Sequence, residues 1–363
     1  MNMRQGRIGN QEAASLALLA CVISGLFAMN TKTQYANGNS AYISSPLAAM
    51  LSLLVLLPIY FVMRRKGIRN LAELYRFAFG PVLAVLAATL TLGSILYAAA
   101  MPLLRLLLIM DQYIYAQAAL QNIALYQLPC VLILSWMGLE ILGRTAKLFV
   151  IPVILSLVAT FLIAIPAYEA FRLFPLLGNG LPQALWYGVT GMGRFLPALL
   201  CLLICGTGVH GPKNAAQGAA IGAVGSAVIV GGSRLLIGMA YPYYMLSQMP
   251  TPMYRVTMAV SGAKVYLRAD KILLFFWILG GMLAGGFYAY AGALVFAGAC
   301  RMRDIRPAVA AVALVICALA MMGHLSLDYA DEVERFLQNT VWAFSAAPPL
   351  LAALVAAFKK GRC

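Results

Sequence analysis

Ala184-Leu185-Trp186-Tyr187-Gly188-Val189-Thr190-Gly191-Met192-Gly193-Arg194-Phe195-Leu196-Pro197-Ala198-Leu199-Leu200-Cys201-Leu202-Leu203-Ile204 carries one charge in 21 residues. A hydrocarbon core of about 30 Å takes about 20 helical residues, and every amide inside it must be paired within its own helix. This stretch is long enough, and nine others resemble it. The apolar spans are expected at 13 to 31, 42 to 62, 80 to 110, 118 to 138, 142 to 166, 182 to 206, 214 to 238, 270 to 299, 307 to 324 and 338 to 357. With 63% hydrophobic and 10% charged residues, the chain reads as an all-α integral membrane protein in a single transmembrane domain over residues 1–363.

The net charge of +15 suits positive-inside orientation better than nucleic acid, because the basic residues sit in alternate loops. One set holds Arg4, Arg7, Arg64, Arg65, Lys66, Arg69, Arg76, Arg144, Lys147, Lys213, Arg301, Arg303, Arg306, Lys359, Lys360 and Arg362. The opposite loops carry Asp111, Glu169, Asp328, Asp331, Glu332 and Glu334. Both termini are then expected in the cytoplasm, with the first span retained and not cleaved. Arg105 and Arg234, near span ends, are expected to snorkel.

Two segments outside the spans have a pattern of their own. Leu71, Leu74, Tyr75 and Phe79 share one face beside Glu73 and Arg76, which predicts a short surface helix over 71–79. The tyrosines at Tyr241, Tyr243, Tyr244, Tyr254 and Tyr266 suit a loop that caps the outer interface.

Catalytic and metal motifs do not assemble. Gly206-Thr207-Gly208-Val209-His210-Gly211 spells a dinucleotide fingerprint, but it follows a membrane span and has Gly231 where the acid should stand; a flexible turn is expected. Cys201 and Cys205 are two thiols on one helix face, short of a metal site, and His210 and His324 have no recognisable serine and carboxylate partners. No enzyme, cofactor or metal is expected. The other cysteines within spans, such as Cys21, read as packing residues.

The informative irregularities are glycines at corresponding positions in the first and sixth spans, Cys21-Val22-Ile23-Ser24-Gly25 and Tyr187-Gly188-Val189-Thr190-Gly191-Met192-Gly193. Glycine lets a membrane helix unwind at modest cost, and an unwound turn offers free N–H and C=O groups to a zwitterion. Cys21, Val22, Ser24, Gly25, Tyr187, Gly188, Thr190, Gly191 and Gly193 are therefore the candidate ligand-binding residues. The alternative is close helix packing through small side chains. Arg194, just past the break, reads either as a ligand or gating residue or as half of an ion pair, with Glu140 or a carbonyl as its partner.

The chain resembles the spore-germination permease family, the B subunit of endospore germinant receptors, within the amino acid/polyamine/organocation transporter superfamily. The likeness rests on ten spans, on Asn70-Leu71-Ala72-Glu73-Leu74-Tyr75, on Gly138-Leu139-Glu140-Ile141-Leu142-Gly143-Arg144, on Leu173-Phe174-Pro175-Leu176-Leu177-Gly178-Asn179-Gly180, and on Tyr254-Arg255 through Arg268-Ala269-Asp270 to Phe275-Phe276-Trp277. Ser24-Gly25 departs from the Gly-x-Gly usual in that superfamily. The resemblance implies two inverted five-helix repeats (13–166 and 182–357) with broken first and sixth helices, and a receptor of the spore inner membrane or cell membrane with two companion subunits. Its ligand would be a nutrient such as an amino acid, its surroundings membrane lipid, and nucleic acid is not a partner. A secondary transporter or facilitator is the alternative; ion coupling is disfavoured, because no carboxylate is expected deep within a span and residues 272–299 contain no Ser or Thr.

Overall fold

The computed structural model describes residues 7–27, 31–114, 120–246, 248–249, 251–261, 269–321 and 327–359; Arg4, Tyr266, Arg268, His324, Lys360 and Arg362 lie outside them. The helices are α1 (Asn10–Phe27), α2 (Thr31–Asn37), α3 (Ala41–Lys66), α4 (Leu71–Tyr113), α5 (Leu120–Met137), α6 (Leu139–Ile163), α7 (Leu181–Ile204), α8 (Pro212–Ala240), α9 (Tyr243–Leu246), α10 (Pro252–Ser261), α11 (Ala269–Cys300), α12 (Arg306–Ala320) and α13 (Leu327–Phe358). Eight of them are long and apolar enough to cross a membrane; α5 and the 15-residue α12 complete the ten helices that match the expected spans.

Local chemistry sets the helix ends. Asn70 accepts from the Glu73 amide at 2.8 Å while the Glu73 carboxylate accepts from the Arg69 amide, also at 2.8 Å, a reciprocal arrangement that satisfies donors at a helix start. The segment 71–79 then runs to Gly80, whose φ of 77° and ψ of −174° break α4 just before Pro81. Leu71, Leu74 and Tyr75 are buried as the amphipathic pattern predicts. The Lys359 ammonium donates to the carbonyls of Phe77 and Ala78 at 2.8 and 2.9 Å, so a cation from the chain's other end covers the exposed C=O groups at this kink.

The expected breaks are absent. α1 is continuous through Ser24 and Gly25, and α7 is continuous through Gly188, Gly191 and Gly193. The glycines permit close approach instead. A Cβ on Gly25 would stand 2.8 Å from Val230 Cγ2 and 2.9 Å from the Phe195 ring; one on Gly188 would stand 2.5 Å from Leu47 Cδ2, one on Gly191 2.9 Å from Ala48 Cβ, and one on Gly193 3.1 Å from the Trp342 amide nitrogen. Where bare backbone already fills the interhelical gap, unwinding would forfeit both the packing and the internal amide pairing, so the small-residue packing alternative holds at these positions.

Other glycines pack in the same way. Gly222 meets Ala17 and Gly218 meets Ala13, which draws α8 onto α1, while Gly281 against Leu106 draws α11 onto α4. The broadest packing pairs are α4 with α11, α1 with α8, α3 with α7, α3 with α8 and α4 with α13. Outward-facing Leu148, Ile151, Leu155 and Leu162 of α6 are exposed, as a lipid-facing stripe requires.

The turn at 205–211 is pinned and not free: Ile8 pairs with Val209, the Ile8 amide donates to the Gly208 carbonyl at 2.9 Å, and His210 Nδ1 lies 2.9 Å from the Ile8 carbonyl. Of the outer tyrosines, Tyr254 is buried and packs on Tyr113 at a ring separation of 4.9 Å, and Arg255 Nε donates to the Tyr113 hydroxyl at 2.8 Å.

Candidate functional site

Four charged side chains are buried among the described residues: Arg105, Arg194, Arg234 and Glu334. All belong to long apolar helices, and a charge in such surroundings is expensive unless it is paired or lines a polar cavity.

Arg105 of α4 and Glu334 of α13 form a buried ion pair. Both expectations for these residues are corrected. Arg105 does not snorkel, and Glu334 is no loop residue, because α13 begins at Leu327 and carries it inside. Glu334, Gln338, Val341 and Ser345 are all buried; they recur at helical spacing and form the inner face of α13. Gln338 accepts from Thr33 of α2 at 3.1 Å.

Arg234 of α8 does not snorkel either. Its Nη2 donates to the carbonyls of Gly25 at 2.9 Å and Leu26 at 3.1 Å. A cation thus satisfies the last turn of α1, where carbonyls are left over by the helix.

Arg194 lies just past the middle of α7 and is 3% exposed. Its Nε and Nη1 have no hydrogen-bond partner, and it enters no ion pair among the described residues. Glu140, the partner considered from sequence, pairs with Arg144 on the surface. Tyr97 of α4 and Glu334 lie within electrostatic range of Arg194, as Arg194 does of Arg234. The hydroxyls of Tyr97 and Thr190 are likewise buried without partners.

The remaining candidates divide between surfaces. Cys21 Sγ lies 3.9 Å from the Phe195 carbonyl, so α1 and α7 touch at that depth. The Ser24 and Tyr288 hydroxyls are 2.8 Å apart, with the Ala98 and Ala20 carbonyls as further acceptors at 3.3 and 3.5 Å. These contacts join α1, α4 and α11. Gly188 and Gly191 instead face α3, and Gly193 faces α13; Val22 is buried and Tyr187 half-buried. Arg194 is the candidate that reaches the charged cluster, where its Nη2 lies 3.2 Å from the position a Gly191 Cβ would take.

Three crystal structures of variants of the Eremococcus coleocola manganese transporter superpose on this chain with a TM-score of 0.52, covering 95% of it and 76% of theirs at 12–13% identity. The fold is shared with a membrane transporter. No protein-family model and no curated protein matches the chain, so the resemblance to germinant-receptor permeases rests on the quoted segments alone. The all-α integral membrane architecture is established by the helices and this likeness together.

Tyr97, Arg105, Arg234, Tyr288, Glu334 and Gln338 are buried polar or charged residues that the sequence does not single out as candidates. Arg105 and Arg234 were visible as cations within apolar runs. Each lies toward a span end, where a long side chain normally escapes to the interface, so the sequence alone favours snorkelling.

Proposed function

We propose that this protein binds a small nutrient at mid-membrane depth, among α1, α4, α7, α11 and α13, and converts occupancy into a change of conformation. The observation that carries this reading is the set of buried, unpartnered donors on Tyr97, Thr190 and Arg194. Buried polar groups without partners are costly, and a solute that satisfies them only in one conformation shifts the balance between states. In this proposal, which the sequence resemblance supports, the chain is the nutrient-sensing subunit of a spore germinant receptor and acts with two companion subunits.

Two five-helix repeats, 13–166 and 182–357, belong to this proposal. Their support is in the packing partners: α1 lies on α8 as α7 lies on α3, α13 on α4 as α6 on α11, and α13 on α7 as α6 on α1. Each pair turns into the other when every spanning helix is exchanged for the one five later in order.

A second reading, a secondary transporter or facilitator, is favoured by the fold likeness and by Glu334, a buried carboxylate of the kind that proton-coupled carriers use. A divalent cation as cargo fits poorly, because the buried charges among the described residues are three arginines against one glutamate. Reconstitution decides between the readings. The isolated chain in liposomes is expected to give no saturable uptake of a labelled amino acid, and the protein to co-purify from dormant spores with two further subunits. Saturable uptake by the chain alone would sink the sensing role and support transport.

A further inference from the structure

Among the described residues the buried charges do not balance. Arg105 is matched by Glu334, while Arg194 and Arg234 have no carboxylate of their own among the described residues. Guanidinium stays protonated in proteins, so the cluster carries excess positive charge in an apolar surround. Arg234 spends Nη2 on two carbonyls and keeps a partnerless Nε; Arg194 keeps both Nε and Nη1.

The ammonium of a zwitterion would need carbonyls or a carboxylate. The Gly25 and Leu26 carbonyls are occupied by Arg234, the helices on either side are continuous, and Glu334 is engaged by Arg105. An anionic group, by contrast, finds Arg194 Nε and Nη1, Arg234 Nε and the Tyr97 and Thr190 hydroxyls without partners, and guanidinium N–H groups bond strongly to carboxylate.

Resting on the nutrient-binding reading above, we infer that the ligand is a small organic anion without an ammonium, of the dicarboxylate class, with a carboxylate held by Arg194. Gly191 then has a second duty, because a side chain there would crowd Arg194 Nη2 as well as Ala48.

The test follows thermal unfolding of the detergent-solubilised full chain at fixed ionic strength, with succinate, L-glutamate, L-alanine or chloride as titrant. Succinate raises the midpoint saturably, L-glutamate, whose ammonium finds no acceptor, raises it less, and L-alanine does not. Arg194→Gln weakens the anion's apparent affinity by about 10- to 100-fold, the value of a hydrogen-bonded charge, and Arg194→Lys retains part of the response. Without titrant, Arg194→Gln melts above the parent, since it removes an uncompensated buried cation; a purely structural arginine would give the opposite. A response to L-alanine alone overturns the assignment of charge and leaves nutrient binding standing. Chloride matching succinate overturns the organic class. Silence toward all four titrants overturns both readings, and an unliganded Arg194→Gln that melts lower than the parent removes Arg194 from the site.

Discussion

Glu334 has no exposure at all and shares its ion pair with Arg105 across the α4–α13 interface. Removing one partner of such a pair leaves the other buried and uncompensated, which costs about 3–5 kcal/mol, whereas replacing both by apolar side chains is close to neutral. Glu334→Gln should therefore lower the melting point of the purified protein sharply, and the double variant Arg105→Met, Glu334→Leu should recover most of the loss. If the double variant is as unstable as the single one, the pair is needed for more than charge balance. Thr190→Val is the gentler probe of the site, since it removes only an unpartnered hydroxyl. A bulky residue at Gly191 would be uninformative, because the contact with Ala48 makes misfolding the first outcome.

Among the elements, two glycine positions make opposite demands. A Cβ on Gly80 would meet nothing within 4 Å, yet its backbone lies where glycine alone is comfortable. Gly80→Ala should thus cost about 1–3 kcal/mol through backbone strain alone, read as a lower unfolding midpoint with the packing undisturbed. Gly222 is an ordinary helical residue whose added Cβ would stand 2.5 Å from Ala17 Cβ, so Gly222→Leu should force α1 from α8 and destabilise by about 1–3 kcal/mol or more. Equal tolerance of both changes would contradict this account. The same distinction explains what could be read in advance. Span positions follow from apolar length, and 71–79 follows from period and capping residues. Whether glycines in a span unwind it or bring a neighbour closer depends on what lies opposite, and Leu47, Ala48 and Val230 come from distant parts of the chain. The start of α13 was misplaced for a related reason: Asp331, Glu332 and Glu334 depress local hydropathy, although a helix can turn one of the three inward.

For the whole molecule, the architecture is legible in the sequence, whereas the gathering of buried polar groups from distant helices is not. Cys21 touches the Phe195 carbonyl of α7 and Ser24 meets Tyr288 of α11, while other buried polar groups, Tyr97, Glu334 and Arg234, come from three further helices, and no local pattern announces such a convergence. Orientation is the remaining property at this scale. Arg64, Arg65, Lys66, Arg301, Arg303 and Lys359 gather at one end of the helices, where Lys66 and Lys359 are hydrogen-bonded, and the positive-inside tendency predicts that this end faces the cytoplasm. Cys300 is exposed beside Arg301, whereas Cys21, Cys201 and Cys205 are buried. In a Cys363→Ser background, a membrane-impermeant maleimide should label Cys300 in inverted vesicles and spare it in right-side-out ones. The reverse pattern would turn the protein over in the membrane, so that Glu334, on the face away from the basic end, would be approached from the cytoplasm.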